Sequence, residues 1–164
     1  MNENLWAPWR MNYVTRTGDQ QRVGNIFVEL PAQYEDEKNG ILYRGETAFV
    51  ILNAFPYSNG HLMVAPFRET NDMTTMTPAE LLEVNELIAR AVGWLTKVYR
   101  PDGFNIGVNL GSAAGAGIPQ HIHWHVLPRW NGDTNYMTTI GSIRVMPQSL
   151  EDSYAALRAV IDAK

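Results

Sequence analysis

Apolar positions recur at helical spacing in one long stretch and alternate at strand spacing in several short ones. Leu81, Leu82, Val84, Leu87, Ile88, Ala91, Val92 and Leu95 fall on one helix face. Thr77-Pro78-Ala79-Glu80 opens that helix: the threonine can cap, proline suits the first helical position, and the glutamate completes a capping box. Pro101-Asp102-Gly103 closes it. Ile41–Arg44 and Ala48–Leu52 are β-prone runs three residues apart, which predicts an antiparallel hairpin. Strands follow over His61–Pro66, Phe104–Leu110 and Gln120–Arg129, and another is expected over Tyr136–Val145. Asn25–Leu30 fits a helical turn or a short strand equally, and the polar, acidic stretch Pro31–Gly40 reads as loop. Ser149, with Asp152 three places on, caps a final amphipathic helix. The pattern is α+β: a mostly antiparallel sheet with one long helix and a C-terminal helix.

With 164 residues and neither repeat nor linker, the chain reads as a single domain over 1–164. It divides into an N-terminal arm (1–24), a catalytic core (25–148) and the C-terminal helix (149–164). In the arm, Trp6 and Trp9 either pack onto the body or help cover a ligand or partner subunit. A net charge of −4 argues against a nucleic-acid-coating surface. The absence of cysteine excludes disulfides and cysteine-ligated zinc. No apolar run has the signal-peptide pattern or the ~18–20 residues of a membrane span. The expectation is a cytoplasmic protein with no membrane partner.

The chemistry concentrates in Gln120–Arg129, where histidine and large apolar residues alternate strictly. On an extended chain Ile122, Trp124 and Val126 enter a core, while His121, His123 and His125 share the opposite face at spacings of roughly 6.5–7 Å. Three of the chain's four histidines lie on that face. The fourth, His61, directly follows Gly60 at the start of another strand. Three neutral imidazoles suit zinc, with His61 as a further ligand, although no Asp or Glu lies among them. Alternatively, an imidazole that is mostly unprotonated near neutral pH can attack phosphorus directly. For that chemistry the small-residue loop Gly111–Gly117, just upstream, offers backbone N–H groups to an anion. Neighbouring imidazoles can then donate to the charge developing in the transition state.

His121-Ile122-His123-Trp124-His125-Val126-Leu127 resembles the histidine triad motif. Gly60-His61-Leu62-Met63-Val64-Ala65-Pro66 after Asn53 is similar to that family's upstream strand, and Asn109-Leu110-Gly111 to its phosphate-binding segment. The resemblance implies a histidine-triad fold and a homodimer or higher homo-oligomer. It makes His123 the nucleophile at an α-phosphate. His125 becomes the donor to the phosphoryl oxygens, and His121 with His61 keeps the hydrogen-bond network. It places Asn53, Ile51, Asn109, Gly115, Gly117 and Ile118 around the nucleotide. The implied partners are adenine nucleotides and dinucleoside polyphosphates. No metal is held by the protein and no cofactor is tightly bound; magnesium arrives only with the nucleotide. The N-terminal arm, Ala114–Gly117 and Pro128-Arg129-Trp130 look most like the bacterial diadenosine tetraphosphate phosphorylase branch. In two other branches a glutamine stands four residues before the first triad histidine. Here that residue is Gly117, which leaves room for inorganic phosphate as acceptor in place of water. A nucleotide-binding module with little turnover is the alternative of another class, and the intact histidine set argues against it.

Overall fold

The computed structural model describes residues 24–133 and 145–163. Trp6, Trp9 and, apart from Val145, the strand expected over Tyr136–Val145 lie outside the described residues. Helix α1 is Ile26–Ala32 and the single turn α2 is Asp36–Asn39. Among the described residues five strands follow: β1 Ile41–Arg44, β2 Ala48–Leu52, β3 Leu62–Pro66, β4 Gly103–Val108 and β5 Trp124–Arg129. The long helix α3, Pro78–Tyr99, lies between β3 and β4, and α4, Leu150–Asp162, comes last. The strands form one antiparallel sheet in the order β1-β2-β3-β5-β4. This is the expected α+β architecture.

Alternation sorts the side chains of β2, β3 and β5 between two faces, and β1 adds Leu42 to one and Ile41 to the other. Leu42, Ala48, Val50, Leu52, Leu62, Val64, Trp124 and Val126 pack against Val84, Leu87, Ile88, Ala91, Trp94 and Leu95 of α3 and Leu157 of α4. The opposite face carries Ile41, Phe49, Ile51, Met63 and Ala65, covered by Phe27 of α1. Thr77 and Glu80 form the predicted capping box, and Arg68 grips the Glu80 carboxylate at 2.7 and 2.8 Å. Ser149 caps α4 by accepting from the Asp152 N–H. The outer edge of β1 is shielded from further strand pairing, because Tyr154 and Arg158 of α4 donate to the carbonyls of Ile41 and Leu42.

Of the two readings open for Asn25–Leu30 the helical one holds: α1 begins at Ile26, because the Asn25 side chain accepts from the Phe27 N–H and caps it. Two local expectations are corrected. The presumed loop 31–40 includes the end of α1 and all of α2, which closes on Gly40 in the left-handed region at φ 70°. The triad strand begins at Trp124 instead of Gln120. Ahead of it the ladder is broken by the site itself. The His121 ring takes the Pro66 carbonyl, and the Ile122 N–H turns to Thr70 O at 2.7 Å.

Candidate active site

The alternation of the triad survives where its hydrogen-bond ladder does not. Ile122, Trp124 and Val126 enter the main core, and Met63, a residue of the other face, is the cross-strand partner of His125. Gly60 brings His61 to the same place. It sits at φ 75°, and a Cβ there would approach Tyr99 Cε2 to 2.8 Å and Leu95 Cδ2 to 3.0 Å, so a side chain is excluded on both counts. His61, His121 and His123 are buried, and His125 is partly exposed. Ring centroids step from His123 to His125 at 5.0 Å and from His125 to His61 at 5.1 Å. Tyr57 lies 5.0 Å beyond His61. At the other end the buried Phe27 ring lies 4.7 Å from His123 and 5.2 Å from His121.

The partners of each imidazole determine where its proton sits. Pro66 O only accepts, so His121 carries its proton on Nε2 and donates there at 2.9 Å. Its Nδ1 accepts from Asn25 Nδ2, also at 2.9 Å. His123 donates from Nδ1 to the His121 carbonyl at 2.9 Å, which leaves the Nε2 lone pair for attack. His61 accepts at Nδ1 from the Tyr57 N–H at 3.1 Å and from Asn53 Nδ2 at 3.2 Å. Its proton therefore sits on Nε2 and is donated to His125 Nδ1 at 2.9 Å. His125 is left with Nε2–H, the donor an oxyanion requires. Burial pushes His121 and His123 below the usual imidazole range, with backbone acceptors pulling the other way. Burial first, and then the neighbouring His123, takes His125 down to about 4. A set of neutral rings with one free lone pair and one outward N–H suits nucleophilic attack on a phosphoryl centre.

The remaining predicted residues occupy varied settings. Ile51 is buried in the Phe27 cluster, and Ile118 packs partly buried against the same cluster. The Asn53 amide is engaged at both atoms, its Oδ1 accepting from the Phe55 N–H at 2.8 Å. Val108, which ends β4, pairs with Trp124, and Asn109 follows it directly. Gly115 is left-handed at φ 84°. In the small-residue loop the N–H groups of Ala114, Gly115 and Ala116 turn inward to the carbonyls of Gly111 and Ser112. A Cβ at Gly117 would meet nothing within 4 Å. Among the described residues no group of three His, Cys, Asp or Glu side chains is disposed around a common ion position. Sequence reasoning missed Asn25 and Phe27. The available signal was a capping asparagine directly before an apolar pair, but its contact is with a ring 96 positions away.

The HIT domain family matches residues 35–132. AP-4-A phosphorylase of Mycobacterium tuberculosis is 38% identical over 157 residues, covering 92% of this chain and 80% of its own. A zinc-bound histidine triad family protein from Mycobacterium smegmatis superimposes with a TM-score of 0.61 at 32% identity, over 74% of this chain and 83% of that one. A Hit-like protein from Bartonella henselae shares the fold with a TM-score of 0.67 at 19% identity, over 84% and 96% of the two chains.

Proposed function

The chain belongs to the HIT domain family, and on that premise we propose that it cleaves dinucleoside polyphosphates, diadenosine tetraphosphate foremost, through an adenylyl-His123 intermediate. The observation that carries this reading is the tautomer chain. His123 Nδ1–H is tied to the His121 carbonyl and its Nε2 is left as lone pair, while His125 presents Nε2–H beside it. His123 Nε2 attacks the α-phosphorus and forms a P–N bond. The P–O bond to the polyphosphate breaks, and ATP departs with that electron pair. The Nδ1–H bond to His121 O stabilises the positive charge gained by the His123 ring. His125 Nε2–H stabilises the negative charge on the phosphoryl oxygens. In the second step an oxygen of inorganic phosphate attacks the same phosphorus, the P–N bond breaks, and ADP leaves with His123 regenerated.

Phosphate as the acceptor is supported by the open space at Gly117 and by the similarity to the mycobacterial phosphorylase. The expected assembly is a homodimer or higher homo-oligomer, and magnesium enters only as counter-ion of the polyphosphate. The test is product analysis on diadenosine tetraphosphate with and without inorganic phosphate. ADP and ATP forming only with phosphate support the proposal. AMP and ATP forming regardless would make water the acceptor and retire the role given to Gly117. Turnover restored to chelator-treated protein by zinc alone, and not by magnesium, would overturn the metal-free mechanism.

A further inference from the structure

Asn25 performs two tasks with the two ends of one amide. Its Oδ1 accepts from the Phe27 N–H at 3.2 Å and caps α1, and its Nδ2 donates to His121 Nδ1 at 2.9 Å. Capping requires only the oxygen, and serine, threonine or aspartate would serve equally. The nitrogen goes beyond that requirement, and it meets a histidine whose ring is buried. The cap also settles the orientation of the amide: with Oδ1 on a backbone donor, Nδ2 must face the imidazole. The His121 ring is thereby held at both nitrogens, by Asn25 on one side and Pro66 O on the other. The carbonyl of the same residue accepts the His123 Nδ1–H at 2.9 Å.

We propose that Asn25 is a positioning residue of the reaction: its amide holds His121 in one tautomer and orientation and, through the His121 carbonyl, aims the His123 ring. A second proton on His121 would set an N–H against the amide N–H of Asn25, so the contact also excludes the imidazolium form. The charge that develops on His123 during attack is then not opposed by a charged ring beside it. Helix α1 thus governs the triad through its N-cap, and Phe27, two places on, packs on the His121 and His123 rings. Glu69 and His123 are the other titratable groups acting on His121.

The inference rests on the assignment of His123 as nucleophile, and the experiment separates the two. Asn25→Asp keeps shape and cap but replaces the donor by an acceptor. In ¹⁵N-resolved spectra of the histidine rings, wild-type His121 is expected to show a protonated Nε2 and an unprotonated Nδ1 at neutral pH. In Asn25→Asp both nitrogens become protonated, kcat falls about ten- to hundredfold, and KM stays within a few-fold, because the cap and the Phe27 position persist. In Asn25→Ala the ring loses its donor, its tautomers mix, and kcat falls again. A wild-type kcat in Asn25→Asp, or a loss of kcat with unchanged His121 ring signals, overturns the proposal. The ring signals need no turnover. Failure of the nucleophile assignment therefore appears separately, as activity retained in His123→Asn.

Discussion

The two faces of this sheet are built from the same strands by different physics. On the α3 face, buried apolar side chains fill space against two helices, and any residue of the right volume contributes. On the α1 face, Phe27 of a seven-residue helix packs on the His121 and His123 rings, and order depends on particular partners for the ring nitrogens of all four histidines. Trp124 and His125 are neighbours in sequence yet belong to these different regimes. Dispersion and burial are forgiving of detail and additive over many contacts, whereas among hydrogen-bonded neutral imidazoles one misplaced proton takes a partner from the neighbouring group. Damage to the first face should therefore register as lost stability. Damage to the second should register as lost turnover in a protein that still folds.

The largest expected effect is on the site face. His123→Asn removes the attacking nitrogen and should lower turnover of diadenosine tetraphosphate more than about ten-thousandfold. Nucleotide affinity should be nearly unchanged by calorimetry, and no adenylyl adduct should appear in the quenched protein by mass spectrometry. Appreciable turnover in that variant would remove His123 from the mechanism. On the other face, Leu87→Ala deletes a buried side chain from α3 and should cost about 2–5 kcal/mol. The urea midpoint should fall with an unchanged slope, and kcat of the folded fraction should stay near wild type. A proportionate fall in kcat would show that the two faces are coupled.

The same contrast explains what could be read from the sequence. The α3 face was legible throughout: Thr77 and Glu80 announced the helix, and its apolar spacing matched the strands it covers. The four histidines were legible as well, since strict alternation and Gly60-His61 depend on local spacing alone. The pairing of rings was not. His61 meets His125 across 64 positions and Asn25 meets His121 across 96, and no local pattern encodes such contacts. Residues 31–40 were misread because a helical turn of Asp-Glu-Lys-Asn has no apolar period to betray it. The early start expected for the triad strand failed because side chains of the site took over backbone acceptors that a regular ladder would use.

Acid should reach the two faces in sequence. The neutral forms of His123 and His125 are the working forms, and burial holds both below the usual imidazole value near 6.5. The acid limb of kcat/KM, which reports the free enzyme, should therefore lie below pH 6.5. An unfolded chain binds protons to these histidines as pH drops below 6.5, while the folded one resists down to about 4 for His125. Stability should decline through that window. Glu80, held at about 2 by Arg68 and the Thr77 backbone, has the opposite disposition. Its contribution is complete above its ordinary value near 4.5 and is lost only as pH falls from there toward 2. In an acid titration followed by NMR, the histidine ring signals should change before the α3 amides near Thr77. Simultaneous loss would contradict separate regimes.

The smallest effect is the sharpest comparison, because it sets two helix caps against each other. Thr77 caps α3 by accepting from the Glu80 N–H at 3.2 Å, much as Asn25 caps α1. The Thr77 hydroxyl serves the helix alone, on the face where packing dominates. Thr77→Ala should cost about 1 kcal/mol, the usual worth of a cap, and lower the melting temperature by a few degrees. Its kcat should be unaltered, since the cap can be lost while Val84, Leu87 and Ile88 still anchor the helix one turn and more beyond it. Asn25→Ala removes a cap of similar worth from a far shorter helix, so on stability alone the two variants should look alike. Only at Asn25 should that loss be accompanied by a fall in kcat. If thermal unfolding and steady-state kinetics instead moved together by the same amounts in both variants, the two caps would be equivalent, and the amide nitrogen of Asn25 would have no role beyond the helix it begins.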